Sequence, residues 1–163
     1  MELRIKQRVF AWTDTYDVYD RNGNAKYYVK GAFFSIGHQI HVYNKETNEE
    51  VGSIHQKLFS WMPKFEIVIG GRTVGTIRKE FSFFQPRYHV DFRNWEVSGD
   101  FLGWEYCAYQ DDRQVLSVSK ELLSWGDTYT LRFLSAADEI PGLLLVLAID
   151  AANCDKNKIE IQF

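Results

Sequence analysis

"IPGLLLVLAID", residues 140–150, contains seven consecutive apolar residues, Leu143 to Ile149, with no polar position to mark a wet side. Leu and Ala favour helix, Asp138 suits an N-cap, and Pro141 falls in the first turn, where its missing N–H costs little. The spacing predicts a helix over residues 138–153, about 24 Å long. At 100° per residue, seven apolar positions cover the whole circumference, so such a helix has to be buried on every side. Crossing a bilayer takes roughly 20 apolar residues, so a membrane span is excluded by length. A buried strand with flanking turns is the alternative reading of so short a run.

Only strands are available to cover this helix. Period-two alternation recurs along the chain. Phe65, Ile67 and Ile69 oppose Glu66; Tyr88, Val90 and Phe92 oppose His89 and Asp91; Tyr129, Leu131 and Phe133 oppose Thr128, Thr130 and Arg132. Each such strand is expected to have one dry and one wet face. Turn signals separate them: "DRNGN" at 20–24, "NKETNEE" at 44–50, "GGR" at 70–72 and "QDDRQ" at 110–114. The pattern predicts roughly twelve strands. A sheet that surrounds a helix is most simply a closed barrel, which also removes its own edges. Eight strands leave room only for side chains, whereas about twelve admit a helix about 10 Å across. The expected fold is therefore mainly β: a closed antiparallel barrel of about twelve strands around a central hydrophobic C-terminal helix. The final "KIEIQF" at 158–163 is a candidate to close the barrel after the helix.

Length and composition agree with one domain over residues 1–163. The chain is 45% hydrophobic and 25% charged; its 16% aromatic content and three prolines favour β structure. A net charge of -3 gives no global attraction to nucleic acid or an anionic membrane, so either contact would need a local basic patch. Cys107 and Cys154 are too few and too far apart for a disulfide framework or a zinc site, and fit free thiols in a reducing cytosol. The start, "MELRIKQRVF", has no signal-peptide character. The expected location is cytoplasmic, with peripheral membrane contact if the loops described next converge.

A weak internal repeat organises the chain. "VGSIHQKLFSWMPKFEI" at 51–67, "VGTIRKEFSFFQPRYHV" at 74–90 and "VLSVSKELLSWGDTYTL" at 115–131 each read as strand, lysine, aromatic or leucine cluster, and returning strand; "AKYYVKGAFFSIGHQIHV" at 25–42 is a fainter copy. Lys57, Lys79 and Lys120 occupy matching places. Unequal intervals argue for successive hairpins of one sheet rather than a solenoid or propeller. If the hairpin loops gather at one barrel end, they bring Lys57, Lys64, Arg78, Lys79 and Arg87 close to Trp61, Phe83 and Phe84, the ingredients for contacting anionic lipid headgroups. The plainer alternative is that the aromatics plug the barrel end while the cations are scattered and solvated.

Other residues do not form a catalytic signature. His41 and His55 flank a turn as potential cross-strand neighbours, but a metal centre needs a third ligand and supporting groups, so solvated strand histidines are expected. His38 follows a turn glycine and His89 sits beside Asp91, neither with an evident nucleophile. "SVSK" lacks a nucleophile elbow, "GG" at 70–71 has no following helix or GK[ST], and "DD" at 111–112 lacks the rest of a calcium loop. Cys107 is expected on an outer face as an ordinary thiol. No catalytic, metal or cofactor site is expected.

"FAWTDTYDVYDRNGN" at 10–24, "VGSIHQKLFSW" at 51–61, "WEVSGDF" at 95–101, "VSKELLSWGDTY" at 118–129 and "LLVLAID" at 144–150 together resemble the LURP-one-related family, a branch of the tubby C-terminal-like proteins. The resemblance implies a twelve-stranded barrel around a hydrophobic helix. Relatives in that superfamily include tubby proteins, which bind phosphoinositides through surface lysine and arginine, and phospholipid scramblases; the tubby lipid-binding residues have no matching positions here. The expected function is a non-enzymatic binding module of the tubby-like class that contacts phospholipid headgroups, with a protein-interaction scaffold as the alternative and a small-molecule carrier or enzyme ranked below both. A carrier is disfavoured because the helix fills the space a ligand would need.

Overall fold

The computed structural model describes residues 1–6, 15–34, 37–84, 87–123 and 126–154. Twelve strands lie in it: β1 (Glu2–Lys6), β2 (Thr15–Asp20), β3 (Ala25–Phe34), β4 (Gly37–Asn44), β5 (Glu50–Gln56), β6 (Lys64–Ile69), β7 (Arg72–Glu80), β8 (Arg87–Asp91), β9 (Glu96–Asp100), β10 (Glu105–Gln110), β11 (Arg113–Leu123) and β12 (Gly126–Phe133). One 3₁₀ turn at Ala136–Asp138 leads into α1 (Glu139–Cys154). All twelve strands form one antiparallel sheet in the order β8-β7-β6-β5-β4-β3-β2-β1-β12-β11-β10-β9. The β1–β12 ladder, with Leu3 opposite Leu131, joins the first strand to the last and curls the sheet into a barrel.

The helix lies inside, packed against β5, β6, β7 and β12. Every residue from Leu143 to Ile149 is at most 1% exposed. The expected all-round burial is therefore met, and the strand alternative for this run is overturned. Alternation supplies the wall: Phe65 and Ile67, Ile77, Tyr106 and Ala108, and Leu131 all turn inward to the same core. The turns fall where expected, after Asp20, Asn44, Ile69 and Gln110.

Two expectations are altered. First, closure is incomplete, because β8 pairs only with β7 and β9 only with β10, leaving a seam between them. The link between these strands dives inward: Phe92 and Trp95 are both 2% exposed and pack edge to face at 5.6 Å, while Arg93 and Asn94 between them take left-handed φ values of 55° and 53°. The link is itself a tight turn, closed by the Trp95 N–H donating to the Phe92 carbonyl at 2.9 Å, yet no ladder continues beyond it and the two strands run on unpaired with each other. Second, β12 has no simple wet face, since Thr128 and Thr130 are buried like their neighbours. Their face is crossed by a chain of ion pairs: Arg4 with Glu2 at 2.7 Å, Glu2 with Arg132 at 3.2 Å, and Arg132 with Glu121 at 2.8 Å. Long side chains lying across a strand in this way shield the short residues beneath them.

The N-terminal end of α1 is fixed by buried carboxylates. Glu139 accepts hydrogen bonds from Lys26 Nζ and Tyr27 Oη, both at 2.6 Å. Asp138 accepts one from Ser135 Oγ at 2.6 Å and lies 3.5 Å from Arg93. Negative charge at this end complements the helix dipole. Burial and the Glu139 carboxylate together push the Tyr27 phenol well above its ordinary range. Replacement Glu139→Ala should cost about 1–3 kcal/mol in urea denaturation, because it leaves the Tyr27 hydroxyl without its acceptor.

Candidate functional site

In a fully antiparallel sheet, every second connection turns at the same end. The β5–β6 loop and the β7–β8 loop therefore share one end of the barrel, the end toward which α1 points its C-terminus. A hydrogen bond from Lys79 N–H to the Pro63 carbonyl, 2.9 Å, ties the second hairpin to the first loop. Five aromatic side chains project from these two loops, exposed between 72% and 104%: Phe59, Trp61, Phe81, Phe83 and Phe84. Leu58 adds a partly exposed aliphatic group. Among these rings, Phe81 and Phe83 meet edge to face at 4.9 Å. Phe59 holds a left-handed φ of 65°, uncommon for a bulky residue. The described aromatics thus stand outside the barrel end and do not plug it.

The cations sort differently from the aromatics. Lys64 lies directly across from Arg78 in the β6–β7 ladder, and Arg78 lies across from His89 in the β7–β8 ladder. Among the described residues, Lys64, Arg78 and Arg87 carry no ion pair. Lys57 is held 2.9 Å from Glu66. Lys79 is only 6% exposed, on the same side of β7 as the buried Ile77. Of the five sequence-chosen cations, three remain as available charge near the loops, and Trp61 stands beside them. A cleft of ≈430 Å³ between the loops is lined by Ser60, Trp61, Arg78, Glu80 and Phe81.

A second cleft of ≈430 Å³ opens at the same end, at the mouth of the β8–β9 seam, lined by Glu80, Ser82, Phe84, Arg87, Tyr88 and Ser98. It continues along the seam as a third, of ≈490 Å³, sharing Tyr88 and Val97. Phe59, Glu80 and Phe81 also belong to this end, and their place inside the repeat segments at 51–67 and 74–90 is the sequence signal that marks them. The last turn of α1 reaches this mouth. Asn153 bridges the two unlaced strands, accepting from the Tyr88 hydroxyl and donating to the Phe101 carbonyl at 3.3 Å. One turn earlier, burial pushes the carboxyl of Asp150 up to about 7, and no hydrogen bond or ion pair among the described residues holds it.

Elsewhere the candidate groups are occupied by ordinary contacts. His41 and His55 are diagonal neighbours on β4 and β5 with ring centroids 5.9 Å apart. His41 Nδ1 faces Glu50 at 3.0 Å and Nε2 faces Gln39 at 3.2 Å, while His55 Nε2 faces Ser53 Oγ at 3.0 Å. Burial and then the neighbouring His41 lower the pKa of His55. No group of three metal-ligating side chains occurs among the described residues. His38 is buried. Cys107 is a half-buried free thiol on the outward side of β10, between the inward Tyr106 and Ala108. The third loop of the repeat, at Ser124 and Trp125, and the "KIEIQF" segment lie outside the described residues. No described helix is long and apolar enough to cross a membrane.

Comparison with known proteins gives a consistent result. A structure of a protein from Arabidopsis thaliana, solved by X-ray methods, superposes with a TM-score of 0.61 at 15% identity, over 92% of this chain and 90% of that one, so the two share a fold. A Bacillus subtilis (strain 168) protein, YxjI, described as uncharacterized, is 34% identical over 150 residues, covering 92% of each chain. The sequence profile described as LURP-one-related matches residues 1–150. With that profile spanning the barrel and most of its helix, this chain belongs to the LURP-one-related family.

Proposed function

We propose that this protein is a non-enzymatic binding module that docks end-on to a phospholipid surface through its two aromatic loops. The observation that carries this reading is the set of five exposed aromatics on two linked loops, beside three cations that form no ion pair among the described residues. Rings of this kind favour the boundary between headgroups and acyl chains, and each nearby cation adds about 1 kcal/mol against an anionic surface. The balance differs from a purely basic patch. With Lys57 paired and Lys79 buried, insertion of apolar rings supplies most of the attraction and charge supplies the rest. Binding should therefore weaken with salt without disappearing.

Sedimentation with vesicles tests this. The triple replacement Trp61→Ala, Phe83→Ala and Phe84→Ala should reduce vesicle binding at least tenfold, since losing even part of three rings' burial exceeds about 1.4 kcal/mol. Replacing Lys64 and Arg87 together should lower binding to anionic vesicles and flatten the salt dependence. Absence of vesicle binding at low salt would overturn the lipid reading and leave a protein partner as the ligand for the same exposed rings.

A further inference from the structure

The cleft at the mouth of the seam carries both signs of charge, which separates classes of headgroup. Glu80 and Arg87 are direct cross-strand partners in the β7–β8 ladder, yet no ion pair joins them. Both line the ≈430 Å³ cleft, together with the hydroxyl-bearing Ser82 and Ser98 and the rings of Phe84 and Tyr88. Its volume falls in the range of small-ligand sites, roughly 300–1,000 Å³. The other titratable groups near Glu80 are His89, whose Nδ1 is 4.0 Å from the carboxylate, Tyr88 in the same cleft, and Arg78 and Lys79, which line the neighbouring cleft with it. A ligand with only negative charge would gain from Arg87 and be repelled by Glu80. A ligand with separated opposite charges gains from both.

We propose that this cleft holds a zwitterionic phosphodiester headgroup of the phosphoethanolamine or phosphocholine type. The phosphate sits on the Arg87 guanidinium with the serine hydroxyls at hand, and the ammonium group turns toward the Glu80 carboxylate. Phe84, 97% exposed at the rim, lies beside the acyl side of the same lipid. The inference rests on the membrane reading above and narrows it. Lys64 and Arg78 supply general attraction, whereas the Glu80–Arg87 pair selects the headgroup.

The full chain can be titrated by NMR with two soluble phosphodiesters, glycerophosphoethanolamine and glycerophosphoglycerol, which differ in the ammonium group. The expected result is movement of the Ser82, Ser98 and Gly99 amide signals with both, and affinity for the ammonium-bearing compound about fivefold higher, as suits one exposed charge pair. Glu80→Gln should equalise the two, and Arg87→Gln should abolish both. Equal affinities in the unaltered protein, a preference for glycerophosphoglycerol, or unmoved signals would overturn the proposal. Parallel sedimentation with phosphatidylethanolamine-rich vesicles keeps the two readings apart. Headgroup discrimination without vesicle binding would uphold the cleft and sink the membrane reading; vesicle binding without discrimination would do the reverse.

Discussion

Gly52→Ala and Leu144→Ala should each destabilise the protein, and the double replacement should cost less than their sum. A Cβ built on Gly52 would lie 2.6 Å from Leu144 Cδ1 and 3.1 Å from the Val68 carbonyl oxygen, so the wall and the helix touch at this point. Leu144 is fully buried, and removing its side chain alone should cost about 2–5 kcal/mol through lost burial and the cavity left behind. Alanine at position 52 alone forces the Leu144 side chain away, at about 1–3 kcal/mol. Together, the new methyl occupies part of the space vacated by leucine. Urea denaturation of the four proteins of this cycle should give a coupling of about 1 kcal/mol or more in the favourable direction. Strict additivity would mean that the helix does not lie against β5.

Asp150→Asn should stabilise the protein at neutral pH. In the folded state the carboxyl keeps its proton up to about 7, whereas the ordinary value is 3.8. Below 3.8 both folded and unfolded states carry the neutral acid. Between 3.8 and 7 only the unfolded chain ionises, so stability falls as pH rises through this window, by about 1.4 kcal/mol per unit and up to about 4 kcal/mol in all. Above 7 the loss is complete. Asparagine stays neutral throughout. The variant should therefore match the parent near pH 3.5, gain progressively toward pH 7, and hold a constant advantage at pH 8. Thermal melts across that range provide the comparison, and equal melting temperatures at pH 8 would refute the buried carboxyl. Such a costly group, one turn before the end of α1, indicates a place where stability has been given up.

The core was legible because its signal is local. Seven apolar residues from Leu143 to Ile149 demand burial whatever surrounds them, and the alternation in Phe65–Ile69 and Tyr129–Phe133 indicates what does the surrounding. The repeat also mapped correctly onto hairpins: β5–β6, β7–β8 and β11–β12 carry its clear copies and β3–β4 its faint one. Legibility failed where the outcome depends on distant partners. The Lys57–Glu66 pair forms across two strands, and nothing near Lys57 in sequence announces it. The seam opens beyond the tight turn at Phe92–Trp95, where alternation on each strand does not say whether the two strands pair. Lys79 is a different case, since its two-residue spacing from Ile77 already places it on the inward side of β7. The repeat alignment, which matches it with the exposed Lys57 and Lys120, overrode that parity.

The ladder between β1 and β12 also governs the order of assembly. The first strand can pair at once with β2, but its other edge waits for β12, the last strand to be made, and the filling of the core comes later still. Throughout synthesis the greasy inner surfaces stay wet, and contacts this distant in sequence make folding slow and aggregation-prone. A finished tube could not admit α1 through its side. A sheet unlaced along one line can instead wrap around the helix as a coat closes around a body, and the seam is the edge at which that wrapping ends.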